Sequence, residues 1–166
     1  MNPDADEAQP SDFVLHQNLP MVEHATAVTT WYSQRTNLRY VLFGINQGED
    51  NGPWSLPDGA RLFRWDEVNN LLGTTPVWLG PTHGVSDLTT IRDPVSREIF
   101  VFITNFENDV NFNNPSQLYW FDPLMEALIL VDEVQTDGAY RSIAFTPFPG
   151  DQVGISVSLR LILIVC

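Results

Sequence analysis

Short runs of β-branched and aromatic residues alternate with turn-rich stretches along most of this chain. Apolar residues do not recur over any useful length at the spacing of about 3.6 residues that marks an amphipathic helix. The intervening stretches contain Gly, Pro, Asn and Asp, which commonly separate strands. The pattern predicts strands at residues 25–32, 38–45, 61–66, 77–79, 85–92, 99–106, 117–122, 127–134, 140–146 and 152–158.

Three short motifs in these strands and turns occur twice. Each returns 54 to 60 residues later, and self-similarity at a fixed period is typical of repeat architectures. The pairs are Thr29-Thr30-Trp31 with Thr89-Thr90-Ile91, Leu62-Phe63-Arg64-Trp65-Asp66 with Leu118-Tyr119-Trp120-Phe121-Asp122, and Thr82-His83-Gly84-Val85 with Thr136-Asp137-Gly138-Ala139.

The repeats predict an all-β fold. Four short antiparallel strands per unit form a β-propeller blade, so we expect a partial β-propeller of about two and a half four-stranded blades in an incomplete ring. A β-sandwich and a β-solenoid are alternatives, but a sandwich does not need similar units and a solenoid has a shorter period. The expected division is a flexible acidic lead-in at 1–12, blades at about 13–75, 76–132 and 133–158, and an atypical apolar tail at 159–166.

The charge of the chain restricts its partners. Eight Lys and Arg residues face 21 Asp and Glu, for a formal net charge of −13, which disfavours nucleic acid and anionic membrane surfaces. A single cysteine, Cys166, excludes an internal disulfide and a thiolate metal cluster. No signal peptide is visible, and the apolar run 159–165 is too short to span a bilayer, so we expect no membrane insertion by this segment.

An ordered series of motifs resembles a known family. A Gln-containing lead at 16–20 precedes turns at 22–25, 82–85 and 136–139, strands ending in Asn46 and Asn105, and aromatic strands at 62–65 and 118–121. This series is similar to the EAR (epilepsy-associated, or EPTP) repeat. That repeat builds β-propellers in secreted and cell-surface proteins such as the leucine-rich glioma-inactivated proteins and the very large adhesion G-protein-coupled receptor. The units here are longer than the family's usual repeat, and they are too few to close a ring.

The resemblance implies a non-enzymatic module for protein–protein interaction, located extracellularly or at the cell surface as part of a larger protein. Its partner would be an extracellular protein, and missing blades or other copies of the chain would complete the ring. Three copies would supply roughly seven blades, within the range of four to eight that propellers use. Two alternatives stay open: a fragment of a propeller enzyme of the glycoside hydrolase or lyase type, and a purely structural or truncated product without function.

Candidate site residues lie in the two long loops. Trp54 and Phe112 are large apolar residues among Gly, Pro and Asn, and each is predicted either to anchor a partner or to cap its own blade. The oxygen-rich segments 47–51 and 107–111 are compatible with calcium, although solvated turns are the preferred interpretation and no cofactor is predicted. The three histidines, His16, His24 and His83, are predicted to be structural, and no catalytic residue or metal site is assigned.

Overall fold

A computed structural model of the chain describes residues 16–19, 22, 24–46, 59–82, 84–106 and 112–145, together with the backbone of 154–158 and 162–164. This part of the chain is all-β, as the sequence predicts, and its strands form three antiparallel sheets. The strands are β1 (Ala25–Ser33), β2 (Leu38–Ile45), β3 (Gly59–Asp66), β4 (Leu71–Leu72), β5 (Trp78–Gly80), β6 (Val85–Arg92), β7 (Ile99–Asn105), β8 (Ser116–Asp122), β9 (Ala127–Val134), β10 (Arg141–Phe145), β11 (Gly154–Ser158) and β12 (Ile162–Ile164).

The three sheets follow one another along the chain. The first sheet has the order β1-β2-β3-β4, with β5 also paired to β3. The second sheet, β6-β7-β8-β9, is the four-stranded antiparallel unit that the repeats predict, and the third has the order β10-β11-β12. The predicted strand ranges agree with the structure to within two residues at each end, whereas β4 and β12 were not predicted.

The first two sheets repeat in register as well as in sequence. Ala25 pairs with Ile45 in the first sheet and Val85 with Asn105 in the second, and a register shift follows the first residue of β1 and of β6. We call the first strand of each sheet, namely β1, β6 and β10, its inner strand. Asn105 therefore corresponds to Ile45, and Asn46 corresponds to Phe106. The two asparagines that end the motif strands lie one position out of register.

The inner strands β1 and β6 lie side by side and form what we call the first junction. The Thr26 hydroxyl donates to the Val85 carbonyl, and Thr29 Oγ1 lies 2.6 Å from Thr90 Oγ1. An apolar cluster fills the space between the first and second sheets behind these hydroxyls. Its thirteen buried residues are Trp31, Tyr40, Leu42, Ala60, Leu62, Val85, Leu88, Ile99, Val101, Ile103, Tyr119, Phe121 and Leu128.

The inner strands β6 and β10 form the second junction in the same way. Ser86 Oγ donates to the Ala139 carbonyl at 2.8 Å, the counterpart of the Thr26 bond. Thr89 Oγ1 lies 2.7 Å from Ser142 Oγ, and the Ser142 N–H donates to Asp87 Oδ2 at 2.9 Å. The repeated hydroxyl residues therefore join neighbouring inner strands.

Four hairpin turns of the first two sheets share one construction. Each begins with a Ser or Asp whose side chain accepts backbone N–H groups of the turn, and each ends with a residue at positive φ. The first residues are Ser33, Asp66, Asp93 and Asp122, and the last are Asn37, Asn70, Arg97 and Glu126. We call this end of the sheets the turn end, and the end that carries Phe106, 112–116 and 134–141 the loop end.

The turns that lead into the inner strands share another feature. His24, Gly84 and Gly138 occupy equivalent motif positions and have φ values of 62°, 59° and 65°. This left-handed conformation favours glycine because a side chain at such φ is crowded by the backbone. The turn residues that the motifs align are therefore also equivalent in conformation.

Candidate functional site

Three aromatic rings form a cluster at the loop end. Phe106 follows β7, and its ring packs edge-on against Phe112 at a centroid distance of 5.1 Å and against Tyr140 at 5.7 Å. Phe106 is half-buried, whereas Phe112 is 50% exposed and Tyr140 is 64% exposed. The arrangement places two accessible aromatic rings on one partly buried ring.

A polar network holds the loop that carries Phe112. Thr136 Oγ1 donates to the Asn114 carbonyl at 2.6 Å and lies 3.0 Å from Ser116 Oγ. Asn105 Nδ2 donates to the Pro115 carbonyl at 2.7 Å. Most of these groups are buried, and a buried hydrogen-bonded network resists rearrangement because breaking it leaves unpaired polar groups. The network therefore fixes the backbone next to Phe112.

The Gly138 turn fixes the same loop from the other side. The Gly138 N–H donates to the Phe112 carbonyl at 2.8 Å, in the turn that precedes Tyr140 and β10. Gly138 has positive φ, a conformation that glycine adopts without the steric cost of a side chain. Phe112 and Tyr140 are thus attached to one turn and held in a defined relation to each other.

The structure places the predicted site residues as follows. Phe112 lies in the aromatic cluster, where its ring contacts Phe106 and keeps half of its surface exposed. Trp54 and the oxygen-rich segments 47–51 and 107–111 lie outside the described residues. Sequence reasoning did not assign Phe106 or Tyr140 to the site. The signal for Tyr140 is its position directly after the turn at 136–139, which repeats the turn at 82–85.

Two of the three histidines and the β6 carboxylate Asp87 lie in the part of the chain that the structure describes. His16 Nε2 lies 2.7 Å from the Asn70 carbonyl at the turn end, His24 lies in the exposed turn before β1, and His83 lies outside the described residues. Asp87, an inner-strand carboxylate, accepts the Ser142 N–H of the next sheet. Among the described residues there is no group of three or more His, Cys, Asp or Glu that could hold a metal ion.

The groups with shifted pKa values lie away from the aromatic cluster. Burial, assisted by the charge of Glu133, raises the pKa of Tyr119 to about 12, and burial also raises the pKa of Tyr40. Hydrogen bonds within their own turns lower the pKa of Asp66 and Asp93. These shifts follow from sheet packing and turn geometry, so they identify no acid–base pair at the loop end. The chemistry that the cluster offers is apolar and aromatic contact.

Comparison with known proteins adds no support to the resemblance to the EAR repeat, which is based on the sequence motifs alone. The chain matches no model of a known protein family, and no curated protein matches it. Within the described part of the chain, no helix has the length and apolar character needed to cross a membrane.

Proposed function

We propose that this chain is a non-enzymatic protein-interaction module of an extracellular or cell-surface protein, built as a partial β-propeller of the EAR type. The observation that carries the proposal is the cluster at the loop end, where Phe112 and Tyr140 stay half exposed or more although both rings pack on Phe106. Aromatic residues on rigid loops are enriched at the centres of protein interfaces.

Preorganisation is the physical advantage of this cluster. Binding normally costs about 0.5–1.5 kcal/mol for each side chain that must be immobilised. At the loop end that cost is reduced, because hydrogen bonds from Thr136 and Gly138 already fix the loop backbone and both exposed rings already contact Phe106. A partner that covers Phe112 and Tyr140 gains the burial of two rings without ordering them.

The propeller arrangement is proposed from the two junctions. Inner strands β1, β6 and β10 lie side by side and are joined by equivalent hydroxyl bonds from Thr26 and Ser86. Repetition of that step around an axis generates a propeller, and each further sheet would pack on a sheet face. Additional blades, from a longer parent protein or from other copies of this chain, would complete the ring.

The experiment is a cell-binding assay with a paired control. The labelled full chain is titrated onto intact cells, and its saturation is compared with that of a Phe112→Ser/Tyr140→Ser variant and a Val68→Ser/Leu79→Ser variant. Val68 and Leu79 are 93% and 59% exposed and lie outside the cluster, so the control removes similar apolar surface elsewhere. We expect saturable binding that weakens at least about tenfold only in the loop-end variant, because a hot-spot ring contributes about 2 kcal/mol or more. Equal weakening of both variants, or no saturable binding of the parent chain, would refute the proposal.

A further inference from the structure

A cleft of about 380 Å³ opens at the turn end, between the β1–β2 turn, the β6–β7 turn and the start of the β8–β9 turn. It is separate from the aromatic cluster, which lies at the loop end. Its lining includes Tyr32, Arg35, Arg92, Arg97, Glu98 and Trp120. We call it the arginine cleft.

The charge of the arginine cleft is opposite to that of the chain. All eight basic residues of the sequence are arginines, and the formal net charge is −13. Three of those eight arginines line this one cleft, against a single acidic lining residue, Glu98. This excess of arginine among the lining residues is a feature of the fold, because it depends on two turns that are about 60 residues apart.

The arginines of the cleft differ in their partners from two arginines outside it. Arg39 pairs with Glu67 at 3.6 Å, and Arg64 pairs with Glu126. Arg92 donates through Nη2 to the Tyr32 carbonyl at 2.9 Å, which holds its guanidinium across the first junction and leaves its other N–H groups for a ligand. Within the described residues, neither Arg35 nor Arg97 forms an ion pair.

Backbone conformation singles out Arg97. The four turns of the turn end all finish at positive φ, and two of them have Asn there, which tolerates this region well. In the β8–β9 turn this residue is Glu126, whose carboxylate pairs with Arg64 and accepts the Tyr40 hydroxyl at 3.1 Å. In the β6–β7 turn it is Arg97, which has a φ of 66° and lines the cleft. An unfavourable residue at such a position indicates a role for its side chain.

The residues around the cleft indicate the chemical class of the ligand. Val95 and Leu124, next in sequence to lining residues, are 88% and 73% exposed, and Pro123 itself lines the cleft. Guanidinium groups bind carboxylates through two parallel hydrogen bonds, and exposed apolar side chains can pack against the methylene groups of a peptide's side chains. Arginines in the lining and exposed apolar residues beside it together fit a peptide better than a small free anion.

We propose that the arginine cleft binds the carboxylates of an acidic, extended peptide segment of a partner protein. Arg92 and Arg97 supply the anion contacts from the second sheet, Arg35 supplies them from the first, and the peptide bridges the first junction. This site does not include any residue of the loop-end cluster, so its test is independent of the test of the function proposed above.

The test uses the full chain, a fluorescent hexaglutamate peptide and a hexaglutamine peptide at about 0.15 M salt, where long-range charge effects are screened beyond about 8 Å. Binding is measured by fluorescence anisotropy for the parent chain, Arg35→Gln, Arg97→Asn and the control Arg141→Gln, an exposed arginine of β10 outside the cleft. We expect the two cleft variants to bind hexaglutamate at least about tenfold more weakly, since hydrogen bonds to charged groups are the strong ones. The control should bind like the parent chain, and hexaglutamine should not bind.

The Arg97→Asn variant separates binding from folding. Asn suits the positive φ of this turn better than Arg, so the thermal midpoint should stay or rise by about 2 °C while the affinity falls. A loss of both stability and affinity would mean that Arg97 is structural and would overturn its assignment. Equal weakening by Arg141→Gln, absence of saturable hexaglutamate binding, or displacement of bound hexaglutamate by inorganic phosphate at constant ionic strength would overturn the proposal.

Discussion

The two junctions join equivalent inner strands but fill the space behind them differently. At the first junction the rings of Trp31, Tyr40 and Phe121 lie within 4.7 to 5.9 Å of one another, in a cluster of thirteen buried residues. At the second junction the buried apolar cluster is small among the described side chains, which exclude those of β11 and β12. It consists of Ile91, Phe102 and Ala139.

Polar contacts are distributed differently at the two junctions. Ser142 at the second junction bonds to Thr89 and Thr104 through its hydroxyl and to Asp87 through its N–H, whereas at the first junction the contacts of Thr26 with Val85, Thr29 with Thr90 and Arg92 with Tyr32 involve separate residues. Hydrogen bonds are directional, while apolar burial is roughly proportional to area. The comparison teaches that hydroxyl contacts fix the relative position of inner strands, and that apolar filling determines how strongly two sheets adhere.

Removal of a core ring should give the largest difference between the junctions. Phe121→Ala is expected to lower the free energy of unfolding by about 4–5 kcal/mol, at the upper part of the range for core aromatics, because its ring pairs with two others. Phe102→Ala should cost about 3 kcal/mol, although Phe102 is equally buried. Denaturant unfolding measures both losses. Equal losses would show that the aromatic contacts add nothing to simple burial.

Removal of a hydroxyl should reverse the ranking of the junctions. Ser142→Ala leaves Thr104 Oγ1 without its 2.9 Å partner at a fully buried position, so a loss of about 2 kcal/mol is expected. Thr29→Val affects Thr90, which is only half-buried and retains access to water, so about 0.5–1 kcal/mol is expected. The same unfolding measurements apply. A larger loss of stability for Thr29→Val than for Ser142→Ala would contradict the inference that hydroxyl contacts contribute more to stability at the second junction.

The pH dependence of the first junction should depend on Tyr119. Its pKa of about 12 in the folded chain exceeds the value of 10.0 expected after unfolding, so the unfolded chain loses the phenolic proton first as pH rises. Stability linked to Tyr119 is therefore complete below pH 10 and declines between pH 10 and about 12.

Tyr119→Phe provides the corresponding measurement. At pH 8 the variant should be about 1 kcal/mol less stable, because it loses the 3.0 Å hydrogen bond to Gln117 Oε1. Thermal or denaturant unfolding at a series of pH values should then show the difference narrowing above pH 10. A constant difference up to pH 12 would show that burial of this phenol does not shift its proton affinity.

Much of the fold could be predicted because its signals are local. The β7 run Ile99–Asn105 is apolar at most positions because both faces of its sheet are covered, and turn residues mark where it stops. β4 has only two residues and carries no pattern of its own, and β12 lies in the apolar tail, where alternation is absent. Strands of these kinds depend on pairing with a neighbour.

The sites could be predicted only in part because they combine distant residues. Phe112 was identifiable as a ring among polar residues, but its contact with Phe106 and Tyr140 requires the junction between two sheets. Arg35 and Arg97 are 62 positions apart and meet only because equivalent turns lie side by side. The sequence repeats specify that the units are alike, while the position of one unit on the next is a property of packing.

The smallest expected effect concerns the turn that enters the first junction. His24 enters β1 at a φ of 62°, where the second and third sheets have Gly84 and Gly138. His24→Gly should raise the free energy of unfolding by about 0.5–1 kcal/mol, because relief of the left-handed strain exceeds the entropy that glycine adds to the unfolded chain.

Gly138→Ala is the matched opposite change. A Cβ there would lie 3.7 Å from Phe106 and Phe112, an ordinary contact distance, so any loss reflects the backbone alone and should be about 1–2 kcal/mol. Thermal unfolding of both variants under the same conditions should show a gain in stability for His24→Gly and a loss for Gly138→Ala. If His24→Gly instead destabilises the chain, the imidazole contributes a contact that outweighs its strained backbone, and the first junction is then entered by a turn that differs from the other two in more than its residue type.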